Sequence, residues 1–136
     1  MPTKHGLILG LALFMAVTWA TGAPSSESRI ILQTSPLAGF QHYAGHALFP
    51  LMALGQPVRL VREPANPFDA RAVRVEWNGV QIGYAPRADN VDLARLMDRG
   101  VAVEGRILHL QHSRDPWKRV MLEIYIVDPR PGPALP

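Results

Sequence analysis

The chain has 136 residues, with 14 lysines and arginines against 11 acids, a formal charge of +3 and no cysteine. That length fits one domain, and the lack of cysteine excludes disulfides, thiolate metal ligands, a cysteine nucleophile and a lipoprotein anchor. The basic excess is too small to mark a nucleic-acid binder by itself, although it is nearly all arginine, Lys4 and Lys118 being the only lysines, and arginine suits phosphate and base stacking better than lysine.

In chain order, Lys4 precedes an uncharged apolar run over 6–20 that ends in small residues. A basic head, an apolar middle and a small-residue end predict a signal peptide over 1–23, cleaved after Ala20, Gly22 or Ala23. The run falls short of the ~20 residues of a membrane span; an uncleaved anchor is the alternative. The mature protein is then periplasmic or secreted, without a membrane span of its own. Residues 24–28 read as a polar linker, and the folded domain is expected over 29–128.

A first strand is expected over 29–34, broken by residues 35–39. The loop 40–43, Phe-Gln-His-Tyr, has no clean period and is either packed or a contact surface. A short helix over 44–54 is weakened by Gly45 and Pro50. A turn at 55–57 leads to a second strand over 58–62. Pro67 favours an extended Asn66, so 66–69 reads as a turn. In the next strand, Ala72–Trp77, Val73, Val75 and Trp77 share one face, and Arg74 and Glu76 the other. Asn78-Gly79 fits a type I′ turn into a partner strand, Val80–Tyr84. The hairpin would bring Asn66, Phe68 and Asp69 near Tyr84 and Arg87.

Asp89 or Asn90 is positioned to cap a helix running to about Arg99, with Gly100 as its C′ residue. A strand over 101–110, with Gly105 marking a bulge or bend, a turn centred on Asp115-Pro116 and a last strand over 120–127 follow. In that last strand Leu122, Ile124 and Ile126 point one way, and Met121, Glu123, Tyr125 and Val127 the other. Residues 129–136 form a proline-rich tail expected to be disordered. About six strands with one or two short helices predict a mainly β fold, a small antiparallel barrel or half-barrel.

The chemistry-bearing residues are few. His42 and His46, and His109 and His112, have helical spacings, but no carboxylate or cysteine completes a metal set. Ser113 lacks the turn and partners of a nucleophile, and there is no phosphate-binding glycine loop. No metal, no cofactor and no enzyme activity are expected. For Asn66 and Asp69, capping of the turn's own backbone competes with ligand binding. Phe68 reads as core or contact, Tyr84 as structural or contact, and Arg87 as solvent-facing or contact.

Four segments carry a family likeness: Gly-Phe-Gln-His-Tyr at 39–43, Arg-Glu-Pro-x-Asn-Pro-Phe-Asp at 62–69, Ala-Val-x-Val at 72–75, and Gly-Tyr-x-Pro-Arg at 83–87. Together they resemble the HIRAN domain, a module at the N-terminus of some SWI/SNF-type DNA repair translocases that also occurs alone in bacteria. The likeness runs from about Ile30 to Val127. It implies an OB-like antiparallel β-barrel with accessory helices and, by analogy with the translocase modules, capture of the 3′-hydroxyl end of single-stranded DNA. It implies a site made of Gln41, His42, Tyr43, Asn66, Phe68, Asp69, Tyr84 and Arg87. In that site Asp69 would accept the hydrogen bond of the terminal hydroxyl. Phe68, standing for a tyrosine, would stack on the terminal base, and His42 would pack on a base. Gln41 stands for a basic residue, Tyr84 for a histidine, and Arg87 for a phosphate-neutralising lysine; Asn66 would meet sugar or base. The expected function is a non-catalytic single-stranded nucleic-acid-binding module. The alternative is an exported envelope protein that uses the same barrel for a protein, a glycan or another hydroxyl-bearing ligand.

Overall fold

The computed structural model describes residues 27–128. The expected signal peptide, most of the linker and the tail lie outside them. Six strands form one antiparallel sheet: β1 (Ser28–Pro36), β2 (Pro57–Glu63), β3 (Ala72–Trp77), β4 (Val80–Tyr84), β5 (Val103–Leu110) and β6 (Val120–Asp128). Their order is β1-β6-β5-β2-β3-β4. The sheet curls until its outer strands nearly meet. Ala38, just past β1, exchanges two backbone hydrogen bonds of 2.9 Å with Tyr84 at the end of β4. Gly83 permits that approach, since a Cβ there would stand 2.5 Å from the Ala38 carbonyl oxygen. The result is a barrel-like, mainly antiparallel β fold with two short helices, α1 (Gly45–Leu48) and α2 (Asn90–Asp98).

The central hairpin forms as its sequence requires. Trp77 pairs with Val80, and Asn78 and Gly79 between them have φ of 48° and 78°, the positive pair of a type I′ turn. Val73, Val75 and Trp77 are buried, with Leu37, Phe40, Leu60, Ile82, Leu93, Ile107, Leu122 and Ile124, in one core inside the curl. Strand β6 lies between β1 and β5, and both its faces are covered. Leu122 and Ile124 face the core. On the other face Tyr125 is buried beneath the guanidinium groups of Arg29 and Arg106, 5.0 and 5.8 Å from its ring centre, and Arg106 pairs with Glu123. Arginine stems cover apolar surface while their heads stay wet, so alternation alone did not reveal that this face is closed.

Several boundaries differ from expectation. Strand β1 runs on through Ser35, which is fully buried, to Pro36, because pairing with Leu122 and Met121 of β6 continues to that point. The helix expected over 44–54 is only α1, passing into a 3-10 turn at Phe49–Leu51 around Pro50. The β5 bulge falls between Ile107 and His109. Gly105 instead gives the room at which β2 crosses β5: a Cβ there would stand 2.8 Å from Val58 Cγ2. Helix α2 ends in a Schellman motif, with Gly100 N–H to Met97 O at 3.0 Å and Val101 N–H to Leu96 O at 3.1 Å. Strand β5 therefore starts at Val103 rather than 101.

Candidate functional site

The loop between β2 and β3 and the end of β4 enclose a groove of about 520 Å³, lined in part by Tyr43, Asn66, Phe68, Asp69, Tyr84 and Arg87. The hairpin thus brings together the residues placed there by sequence. Its organising group is Glu63, the last residue of β2. Glu63 Oε1 accepts from Arg74 Nη1 of β3 at 2.8 Å. Its Oε2 accepts from Asn66 Nδ2 at 3.0 Å and from the Tyr84 hydroxyl of β4 at 2.9 Å. One carboxylate ties three strands and the loop. These bonds, that from Asn66 first, hold its carboxyl below the ordinary value. Burial, with Glu63 close by, pushes the Tyr84 phenol up, so Tyr84 remains a donor. The Tyr43 ring meets the Tyr84 ring edge-on at 5.8 Å and forms the facing wall.

Asn66 shapes the loop. Its Oδ1 accepts from the backbone N–H groups of Phe68 (2.9 Å) and Asp69 (3.2 Å). Both lone pairs of that oxygen are used, and one amide N–H remains for any ligand. The loop so held presents Phe68, 85% exposed, to solvent. Phe68 is not core. Burying such a ring is worth about 1.5–3 kcal/mol, and here that gain is forgone at the lip of a groove.

Asp69 follows. Its Oδ1 accepts from the Arg71 backbone N–H at 2.9 Å, and its Oδ2 from Asn90 Nδ2 at 2.7 Å. Arg87 Nε lies 3.7 Å from Oδ2, and Arg87 Nη2 donates to the Phe68 carbonyl. The Arg71 amide first, then Asn90 and Arg87, hold the Asp69 carboxyl below its ordinary value. It is ionised at neutral pH. A carboxylate has about four acceptor positions, and two of them are taken. The site therefore offers a fixed, half-open carboxylate between an exposed phenyl ring and a guanidinium. That suits a ligand that donates a hydroxyl, stacks a flat ring and carries a negative charge.

Gln41 and His42 do not reach this groove. They sit on the 3-10 turn Phe40–His42, exposed, with Gln41 Nε2 and His42 Nε2 3.1 Å apart. Arg62, near the end of β2, is engaged: it grips Asp98 at the end of α2 with Nε and Nη2 (2.9 and 3.1 Å) and donates to the Ala72 carbonyl at 3.1 Å. Two supports escaped sequence reasoning. Glu63 lies within the motif, but its bond to Tyr84 depends on the register of three strands. The sequence offers either Asp89 or Asn90 as the helix cap. Asp89 holds the cap position, without a side-chain bond, and Asn90 is buried (1% exposed) in the first turn, its amide turned onto Asp69.

The HIRAN domain family model matches residues 31–127. No protein of curated function matches the sequence. Among solved structures, a protein from Lactobacillus plantarum superposes with a TM-score of 0.64 and 26% identity, over 75% of this chain and 98% of that one. The HIRAN domain of human HLTF superposes with a TM-score of 0.57 and 21% identity, over 74% of this chain and 81% of that one. With most of the chain matched and the barrel, its loop and its groove in place, the protein belongs to the HIRAN domain family.

Proposed function

We propose that this domain binds single-stranded nucleic acid and captures its 3′-hydroxyl end in the groove beside Asp69, without catalysis of its own. The observation that carries this reading is the Asp69 carboxylate, fixed by Arg71 and Asn90 and left with open acceptor positions beside an exposed Phe68. A carboxylate repels a polyanion unless it receives a hydrogen bond, and the 3′-hydroxyl is the donor that a strand end offers. Phe68 supplies a stacking face that accepts any base, worth ~1–3 kcal/mol. Arg87, with one flank exposed, supplies charge for the adjoining phosphate. Anisotropy titration of 3′-hydroxyl and 3′-phosphate oligonucleotides tests the reading. The hydroxyl end should bind more tightly by a hydrogen bond to a charged group, ~1.5–3 kcal/mol; equal binding of the two ends removes it.

We further propose that the protein is exported, supported by Lys4 and the uncharged run that follows it. The strand ends it meets would then lie outside the cytoplasm. N-terminal sequencing should give a mature terminus between Thr21 and Pro24. An intact Met1 or Pro2 terminus in the cytosol overturns export and leaves the binding reading untouched.

A further inference from the structure

A second groove, about 510 Å³, opens between α1 with its following 3-10 turn and the β5–β6 connection. Its floor is the half-buried Phe49 ring, which rests edge-on against the fully buried Phe40 at 6.0 Å and meets the exposed His112 ring edge-on at 5.1 Å. Its rim carries His46, His112, Arg114 and Arg119, and no carboxylate lines it. The connection is curled by its own bonds. Gln111 N–H reaches the Arg119 carbonyl at 2.9 Å, and Arg119 Nε donates to the Ser113 carbonyl at 2.7 Å. Its one acid, Asp115, is turned onto the Trp117 backbone N–H at 3.1 Å as the cap of the next turn. Arg114 is exposed, and among the described residues it makes no ion pair. The wall shared with the Asp69 groove is the 40–43 turn: Tyr43 lines one side and Phe40 the other.

We propose that this second groove is a backbone subsite, which takes a phosphodiester and its base from the same strand a short step 5′ of the captured end. The inference rests on the proposed strand binding and extends it. An aromatic floor under a rim of unpaired cations is what a single strand requires at each step, a stacking face and a counter-charge. Barrels of this class track about 4–16 nucleotides, more than the Asp69 groove can hold. A rim free of acid attracts any phosphate, whereas the Asp69 groove is selective for an end.

The test is a length series of 3′-hydroxyl oligonucleotides of one to six nucleotides, titrated against the intact protein at two salt concentrations. Affinity should rise roughly tenfold once the strand is long enough to cross the turn, the lower part of the range for one more stacked base. Arg114→Ala should remove most of that gain and lower the salt slope by about 0.7, the share of one phosphate on a single strand. Arg59→Ala, an exposed arginine on β2 outside both grooves, should leave the gain in place and so control for lost charge. Affinity independent of length, with the hydroxyl end still preferred, overturns the subsite alone. So does a length gain that Arg114→Ala and Arg59→Ala reduce equally. If no oligonucleotide of any length binds at low salt, the strand reading fails and the subsite falls with it.

Discussion

The two grooves on either side of the 40–43 turn are nearly equal in size, about 520 and 510 Å³, and opposite in electrostatics. In the first, each cation close to the wall already has an acid. Arg74 pairs with Glu63 and Glu76, and Arg87 with Asp69. In the second, Arg119 donates to the Ser113 backbone carbonyl, neither Arg114 nor Arg119 pairs with an acid among the described residues, and no carboxylate lines it. The same barrel therefore offers a neutralised, hydrogen-bonding surface beside an uncompensated positive one. The first can discriminate by donor and acceptor, because its charges nearly cancel. The second can only attract, and salt weakens attraction of that kind. On the proposed reading this divides the work: the Asp69 groove reads which end is present, and the other adds affinity that any phosphate would gain.

The sharpest break of this comparison is at Asp69. Asp69→Ala should abolish the preference for a 3′-hydroxyl over a 3′-phosphate, a loss of ~1.5–3 kcal/mol in the difference between ends, while the salt-dependent part of binding survives. Competition titration of the two oligonucleotides measures it, and a preference retained in the variant would show that the carboxylate serves only its turn. Next in size is Phe68→Ala. It should cost binding ~1–3 kcal/mol for a stacked base, and chemical denaturation should show stability within about 0.5 kcal/mol of the parent, as for an exposed substitution away from packing features. A large stability loss would mean that Phe68 packs in solution and that its ring is not a free stacking face.

How far the sequence disclosed this arrangement follows from the range of the interactions. The β3–β4 hairpin was legible because its signals are local: a period of two in Val73, Val75 and Trp77, and Asn78-Gly79 at the turn. It alone predicts that Asp69 and Arg87 approach, and they lie 3.7 Å apart. The roles of Asn66 as a turn former and of Gly100 as a helix end were legible for the same reason. What sequence did not disclose depends on packing between distant segments. Position and residue type left Asp89 and Asn90 equal as caps of α2, and Asp89 takes that place. Only the docking of α2 beside the loop turns the Asn90 amide to Asp69. Gln41 and His42 adjoin Tyr43 in sequence, yet a single 3-10 turn separates their directions from that of Tyr43. The second groove was invisible, since its histidines and arginines come from segments some sixty residues apart that carry no shared pattern.

Glu63 provides a smaller effect that separates architecture from recognition. Its folded carboxyl is held down by Asn66, Tyr84 and Arg74, so its contribution is fully present above its ordinary value of 4.5 and is lost as pH falls through the lower folded value. Glu63→Ala should lower stability by about 1–3 kcal/mol at neutral pH, leaving the Tyr84 hydroxyl and the Asn66 amide without their acceptor and Arg74 with Glu76 alone. The difference from the parent should shrink as pH is taken below 4.5. Urea unfolding at neutral and acid pH checks the sign. A difference that grows on acidification would mean that Glu63 is not the ionised centre of the strand ends.

The smallest expected effect is at Arg87, and it bears most directly on the contrast between the grooves. Its side chain is 72% exposed, lies 3.7 Å from Asp69 and is bonded to the Phe68 carbonyl. Part of its charge is therefore spent inside the protein before any ligand arrives, and an exposed pair of this kind contributes within about 1 kcal/mol. Arg87→Ala removes one phosphate contact and at the same time frees the Asp69 carboxylate from a neighbouring cation. The first change should weaken both the 3′-hydroxyl and the 3′-phosphate oligonucleotide and flatten the salt slope by about 0.7. The second should strengthen the repulsion of a terminal phosphate, so the preference for the hydroxyl end should widen slightly rather than vanish. Titrations of both ends at two salt concentrations resolve the two changes. If the variant loses the end preference along with the slope, Arg87 is orienting Asp69 and the charge of the first groove is part of its selectivity. If neither changes, phosphate attraction belongs wholly to the rim of Arg114 and Arg119.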